Sequence, residues 1–263
     1  MVNLGYGNVS PKGRFHPALF DFQCGLQYHS ELDSRNQALI QTLLNNPAAA
    51  YIGPFLVFAV FLAGGKYLPV DPGTEQIIRF LVIAASIWCF SRHLVSFRMK
   101  SPIASIVLGV AVFFLWIAPD TLIPGYRTHW LFQNSFLPKL EVSMPAGLLQ
   151  NPFQLILRMS RAALLVPILE ELFWRGWLMR WLINDDFEKV PLGTYATRAF
   201  WITAVLFASE HGPYWEVGLL TGAIYNWWMI RTKCLADLYV THGVTNLCLS
   251  LYVIATGKWE YWM

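Results

Sequence analysis

Long apolar runs alternate with short polar segments along most of the chain. A helix that spans a membrane needs about 20 apolar residues, and most of these runs approach that length if each flank adds a turn. The pattern predicts an all-α, polytopic integral membrane helical bundle with about seven spans. The predicted spans cover about residues 51–67, 77–90, 103–119, 152–183, 199–209, 215–230 and 235–256.

The fifth apolar run is shorter than the others. Only 13 residues lie between Arg198 and Gly212, and a helix rises about 1.5 Å per residue, so this segment is too short to cross a bilayer. We predict a short helix that ends inside the membrane or is tucked among its neighbours.

The polar segments between the runs give the predicted organisation. The first segment is mixed and polar, lacks the pattern of a secretory signal, and has helical character only at about 34–47. A Pro- and Gly-rich stretch at 120–149 reads as a loop. We predict four parts: a polar extension (1–47), three spans and a non-cytoplasmic loop (48–150), the helices that carry the chemistry (151–256) and an aromatic tail (257–263).

Basic residues predict the orientation, because Lys and Arg favour cytoplasmic loops. They occur in the loops after the second, fourth and sixth runs. These loops share one side of the membrane if the chain has seven spans, and that side is cytoplasmic if the N-terminus is cytoplasmic too. The residues concerned are Arg92, Arg98, Lys100, Arg180, Lys189, Arg198, Arg231 and Lys233.

The composition excludes several classes of protein. Apolar residues make up 56 % of the 263 residues and charged residues only 13 %, against about 25 % charged in soluble domains. Disordered chains need low hydrophobicity and high net charge. The net charge of +3 is too small and scattered to suggest nucleic-acid binding. The four cysteines have no CxxC or zinc spacing, and the aromatic content suits a membrane interface.

Two adjacent carboxylates lie inside the fourth apolar run, where an ionisable residue is a functional candidate because burying charge is costly. Glu171 and Arg175 are four residues apart, a good spacing for an ion pair on a helix. Glu170 points about 100° away and has no local cation, which suits a general base. Pro167 predicts a kink just before the pair. The alternative interpretation is that both carboxylates form buried ion pairs that stabilise the packing of the helices.

Two further groups of polar residues occur at the end of the fifth run and within the last run. His211 follows the fifth run, where Gly212 and a proline end the helix, and a histidine there is usually a cap or a packed core residue. Glu210 is interpreted as a loop or interface residue. His242 and Asn246 share one face of the last span, where they are either donors in a site or hydrogen-bonding glue between helices.

Together these residues favour hydrolysis over packing. A base and an acid must bracket a water, and donors must meet the oxyanion that forms. Two carboxylates, two histidines and an amide on three helices supply that set. The order and spacing read Glu170-Glu171-x-x-x-Arg175, then Phe207-x-x-x-His211, then His242-x-x-x-Asn246.

This pattern resembles the CPBP family, the type II CAAX prenyl endopeptidases and their bacterial (Abi) relatives. The resemblance covers about 150–250, and Pro167 and Gly176 also fit its P-x-x-E-E-x-x-x-R-G motif. Within the family the chain looks most like the CAAX-protease-related proteins found alongside bacterial exosortase and PEP-CTERM sorting systems.

The resemblance implies an intramembrane endopeptidase of the glutamate type that acts on a membrane-associated protein or peptide substrate in the bilayer, with no nucleic acid involved. Glu170 and His211 would hold and activate the attacking water. His242 and Asn246 would donate hydrogen bonds to the oxyanion. Glu171 and Arg175 would support the site. The bacterial cell (inner) membrane is the expected location.

Three alternatives remain at this stage. A non-catalytic scaffold or immunity protein of the same family would keep the fold without the reaction. A transporter would use the two glutamates as cation ligands, although no inverted repeat is present. A metalloprotease would use the histidines and glutamates as zinc ligands, but HExxH and other zinc spacings are absent, so we expect no cofactor and no metal.

Overall fold

Seven helices and no strand make up the part of the chain that the computed structural model describes, residues 46–135, 137, 142 and 144–262. The all-α prediction is therefore confirmed. The predicted extension and its helix at about 34–47 lie outside these residues, apart from the last two. The helices are α1 (Ala49–Gly64), α2 (Pro72–Ser91), α3 (Pro102–Leu122), α4 (Pro152–Trp181), α5 (Thr197–Ser209), α6 (Trp215–Thr232) and α7 (Leu235–Thr256).

The seven helices differ in their capacity to cross a membrane. By length and composition, α2, α3, α4 and α7 are long and apolar enough. The short α5 was expected, with 13 residues. The 16-residue α1 is shorter than its apolar run, because the chain turns into a 3-10 helix at Gly65–Tyr67. The third run was expected to end at Pro119, but α3 continues to Leu122.

Side-chain caps fix where α2 and α4 begin. The Asp71 carboxylate accepts hydrogen bonds from the backbone N–H groups of Gly73 and Thr74, and the Asn151 side chain does the same for the first turn of α4. Each cap is followed by a proline, whose missing N–H is not needed at the first helical position. These caps satisfy backbone donors that have no partner inside the helix.

Helix α4 departs from α geometry twice, on either side of the two glutamates. Residues Arg161–Leu165 and Leu172–Leu178 form π turns, in which the hydrogen bonds reach one residue further. At the first turn the N–H of Val166 donates to the Arg161 carbonyl. The change of geometry precedes Pro167, as its missing N–H predicts, and α4 continues through it as one helix.

Helix α7 lies between α3 and α4 and touches both through glycines. A Cβ atom at Gly109 of α3 would lie 2.5 Å from the Thr241 carbonyl oxygen of α7. A Cβ atom at Gly243 of α7 would lie 2.7 Å from the Ala163 carbonyl oxygen of α4. The backbones therefore approach as closely as they can, as helices in membranes do at small residues. This contact holds the face of α7 that carries His242 against α4.

Candidate active site

The Glu171 carboxylate and the Arg175 guanidinium form the buried centre of the site. Their exposed fractions are 0 % and 1 %, and Arg175 Nη1 lies 3.1 Å from Glu171 Oε1. The ion pair suggested by the spacing along the helix is thus present. Arg175 also donates from Nε to Asn226 Oδ1 at 2.9 Å and from Nη2 to the Gly222 carbonyl at 3.2 Å, so the guanidinium joins α4 to α6.

His242 is held by the same carboxylate. Its Nδ1 lies 2.9 Å from Glu171 Oε1, and its ring packs against Tyr225, with the ring centroids 5.2 Å apart. Glu171 therefore links Arg175 on its own helix to His242 on α7. Because Nδ1 faces the carboxylate, the other ring nitrogen, Nε2, is the one left for chemistry.

Asn246 is positioned by a gap in the hydrogen bonding of α4. In the first π turn the carbonyl of Ala162 would accept from residue 167, but Pro167 has no N–H. The Asn246 Nδ2 group donates to that carbonyl at 2.9 Å. A side chain of α7 thus satisfies an oxygen that the proline leaves without a partner. One of the two amide hydrogens of Asn246 is used in this way.

His211 is fixed at the end of α5. Its Nδ1 lies 2.7 Å from the Phe207 carbonyl oxygen, four residues earlier. A carbonyl only accepts, so Nδ1 carries the proton and Nε2 of the neutral ring carries a lone pair. The ring also packs against Trp116, with centroids 5.2 Å apart. His211 combines the expected role of a helix-end residue with a nitrogen that is free to accept.

Glu170 is buried without a fixed partner. It is 8 % exposed, and its Oε2 atom has no hydrogen-bond partner among the described residues. The groups that act electrostatically on it are Glu210, Glu171 and Arg175. A buried polar atom without a partner is rare, and this one fits the sequence-based interpretation of Glu170 as the unpaired carboxylate.

A cavity of about 230 Å³ opens beside these residues. His211 and Asn246 both line it, whereas Glu170 and His242 are not among its lining residues. The Phe207 ring packs near both histidines, with its centroid 4.7 Å from that of His211 and 6.2 Å from that of His242. The other lining residues are Trp116, Arg158, Ala162, Glu210, Tyr214, Leu249, Ser250, Tyr261 and Trp262.

Residues 152–248 match the family model described as type II CAAX prenyl endopeptidase Rce1-like. This segment is therefore an Rce1-like domain. The matched segment contains all six residues singled out in the sequence. No curated protein and no solved structure matches the chain significantly.

The Rce1-like family is a family of CAAX endopeptidases, so the chain is a peptidase, and its general activity is that of a CAAX-type intramembrane protease. With its long apolar helices it is an integral membrane protein that acts on a protein substrate. The family match assigns no roles to single residues, and the roles given to Glu170, His211, His242 and Asn246 stay predictions.

Two residues of this Rce1-like site were not singled out as site residues. Glu210 lies exposed in the turn after α5, as its interpretation as a loop residue expected, but it also lines the cavity and acts electrostatically on Glu170. Asn226 is fully buried and bridges Arg175 to the Phe200 carbonyl, to which it donates at 2.8 Å. The sequence offers a weak signal for Asn226, an amide in an apolar helix.

In the described ranges of the chain, no three or more His, Cys, Asp or Glu side chains are grouped so that they could hold one ion. The histidines that sequence reasoning considered as zinc ligands instead bind a backbone carbonyl and the Glu171 carboxylate through Nδ1. The expectation that the reaction needs no metal stays a prediction.

Proposed function

We propose that the chain hydrolyses a peptide bond of a membrane-associated protein by a glutamate-type mechanism. The observation that carries the proposal is the fixed orientation of His211. Its Nδ1–H donates to the Phe207 carbonyl, so its Nε2 lone pair is available at a cavity that Asn246 also lines. A nitrogen that can accept a hydrogen bond from water and an amide that can donate one therefore line the same cavity.

Glu170 is the base in this proposal. A water that donates one hydrogen bond to His211 Nε2 gives its other proton to the Glu170 carboxylate as its oxygen attacks the carbonyl carbon. The carbon–nitrogen bond then breaks, and the proton on Glu170 passes to the leaving amine. The unpartnered Oε2 atom of Glu170 supports this role, because a carboxylate already held by a cation would be a weaker base.

His242 and Asn246 stabilise the oxyanion. Asn246 keeps one amide hydrogen after its bond to the Ala162 carbonyl, and that hydrogen donates to the developing charge. His242 donates from Nε2–H. With Nδ1–H on the Glu171 carboxylate, donation from Nε2 requires the imidazolium form, and Glu170 and Glu171 together balance the charges of this ring and of Arg175. Glu171 and Arg175 hold this donor in place, which is their supporting role.

We further propose that the chain lies in the bacterial cell membrane with its N-terminus cytoplasmic. The basic loops after α2, α4 and α6 support this orientation. The substrate is a membrane-associated protein, and whether its end is prenylated is decided by the experiment below.

The decisive experiment compares peptide termini by mass spectrometry in membranes of cells that produce the wild-type chain or its Glu170→Gln variant. The change keeps the size of the side chain and removes the base. We expect new termini with the wild type and none with the variant. Glu188→Gln, at an exposed position outside the site, is the matched control and should behave like the wild type.

Two outcomes would contradict the proposal. If wild-type membranes gain no termini relative to membranes without the chain, the chain is not the protease proposed. If Glu170→Gln produces the same termini as the wild type, Glu170 is not the base and a scaffold-like role is favoured. A farnesylated and an unfarnesylated peptide that end in Cys, two aliphatic residues and a variable residue show whether the lipid is needed.

A further inference from the structure

A second cavity, of about 240 Å³, lies between the first half of α2 and the first half of α4. The catalytic residues proposed above do not line it. Arginines dominate its wall, although both helices are long and apolar enough to span a membrane. The described lining residues are Gly65, Leu68, Val70, Pro72, Glu75, Gln76, Arg79, Pro145, Arg158 and Arg161.

Arg161 is the central feature of this cavity. It is 5 % exposed, and its described hydrogen bond, from Nη1 to Gln76 Oε1 at 3.3 Å, goes to a neutral side chain. No carboxylate among the described residues lies within ion-pair distance of it. A buried charge without a partner is strongly unfavourable, so the Arg161 guanidinium is suited to an anion that enters from outside the chain.

The other charges on the wall do not neutralise Arg161. Glu75 Oε1 lies 2.7 Å from Arg79 Nη2, and this pair packs over Gly65, where a Cβ atom would lie 2.7 Å from Glu75 Oε1 and 2.8 Å from Arg79 Nη2. Glu75 is thus engaged by Arg79 and fixed. Arg158 adds a further guanidinium to the wall.

We propose that this cavity binds a phosphate group, carried by a membrane phospholipid or free in solution, with Arg161 as its main ligand. Guanidinium groups present planar forks of N–H donors that match phosphate oxygens. Basic pockets between membrane helices bind phospholipid headgroups. Glu75, Gln76 and Arg161 also lie only about one to three helical turns from the capped starts of α2 and α4, so the cavity lies toward the N-terminal ends of both helices.

The site adjoins the catalytic cavity. Arg158 lines both cavities, so a bound phosphate group would lie next to the wall of the proposed active site. Binding is nevertheless independent of catalysis, because no residue proposed for water activation or for the oxyanion contributes to the phosphate site. The proposal therefore stands or falls separately from the proposed function.

The test measures ligand binding by the purified full chain in an uncharged detergent after lipid removal. The probes are dihexanoyl-phosphatidylglycerol, inorganic phosphate and dihexanoylglycerol, which has the same acyl chains without the phosphate. We expect the phospholipid to raise the apparent melting temperature, as a ligand of the folded state does, and dihexanoylglycerol to have no effect. A shift with inorganic phosphate as well would identify free phosphate as a second source.

Arg161→Gln should weaken binding of the phospholipid at least tenfold, and Arg231→Gln, at an exposed position outside the cavity, should leave it unchanged. If Arg161→Gln does not yield folded protein, Arg79→Gln serves instead, because it leaves the Glu75 carboxylate facing the cavity and should also abolish binding. Equal shifts with dihexanoylglycerol and the phospholipid, or wild-type affinity in a folded Arg161→Gln or Arg79→Gln variant, would overturn the proposal.

Discussion

Two arginines on the same helix, α4, are buried almost equally but have very different contacts. Arg175 is 1 % exposed and Arg161 5 % exposed. Arg175 contacts a carboxylate, an amide oxygen and a backbone carbonyl, and lies over the rings of Phe207 and Tyr225. Arg161 has a hydrogen bond to the neutral side chain of Gln76.

The difference shows that buried charges have two structural roles in this molecule. Around Arg175 the chain supplies every partner, so the guanidinium is part of the framework that orients Glu171 and, through it, His242. Around Arg161 the chain supplies a cavity, further arginines and one carboxylate, Glu75, which is paired with Arg79. The first arrangement stabilises the proposed catalytic geometry, and the second is suited to a ligand.

The largest effect is expected from breaking the first arrangement. Arg175→Met would leave Glu171 buried without its cation, and removing one partner of a buried ion pair lowers stability by about 3–5 kcal/mol. Thermal unfolding in detergent, with peptidase activity measured in parallel, checks this expectation. Arg231→Met is the matched control. A loss no larger than that of the control would contradict the framework role.

An intermediate effect is expected when Asn226, the uncharged side chain that contacts Arg175, is replaced. Asn226→Ala removes the acceptor of Arg175 Nε and the donor to the Phe200 carbonyl, and leaving such groups unsatisfied costs about 1–3 kcal/mol. Activity should fall less than with Glu170→Gln, because the proposed base remains. Gln133→Ala, at an exposed position, is the control. An unfolding temperature equal to the control's would show that Asn226 does not hold the guanidinium.

The same substitution at Arg161 should change stability little, and in the other direction if at all. Arg161→Met removes a buried charge that has no carboxylate partner, and replacing buried ionic groups by apolar ones is often neutral or stabilising. We expect a change within about 1 kcal/mol of zero in lipid-free, phosphate-free detergent. The unfolding measurement used for Arg175→Met tests this directly. Destabilisation as large as that of Arg175→Met would remove the contrast between the two arginines.

The smallest effect is expected at Asp71, whose carboxylate caps α2 and is exposed to water. The Thr74 hydroxyl and backbone N–H hold the pKa of Asp71 below its ordinary value of 3.8. A lowered pKa in the folded state means that the cap stabilises α2 fully above the ordinary value and is lost as the pH falls through the lowered one. Asp71→Asn should therefore lower the melting temperature slightly at neutral pH and not at the most acidic pH.

Asp185→Asn, at an exposed position in the loop after α4, is the control for the cap. If the difference between wild type and Asp71→Asn grows on acidification, the sign of the linkage is wrong. Together with the effects at the two arginines, this result would show that the consequence of a charge follows its partners and its exposure.

The sequence predicted the features of this molecule that depend on local spacing. The last helix was predicted at 235–256 and runs from Leu235 to Thr256, because Gly257 adopts a left-handed conformation (φ 69°) that ends it. The Glu171–Arg175 pair followed from their separation of four residues. In both cases the determining neighbours are close in sequence.

Contacts between helices could not be predicted in the same way. The bond between His242 and Glu171, and that between Asn246 and the Ala162 carbonyl, depend on how α7 packs on α4. Glu210 follows the end of α5, where the helical period no longer fixes the direction of a side chain, so its position on the cavity wall was missed. The π turns of α4 also alter which residues share a face.

The close approach of α7 to α3 and α4 sets a tolerance for the whole site. Gly109 and Gly243 each have a neighbouring carbonyl oxygen where a methyl group would need to be. One added carbon at either position would push the helix that carries His242 and Asn246 sideways by a fraction of an ångström. A displacement on this scale misaligns hydrogen-bond donors with an oxyanion. The absence of a side chain at both glycines therefore allows α7 to lie where the proposed reaction geometry needs it.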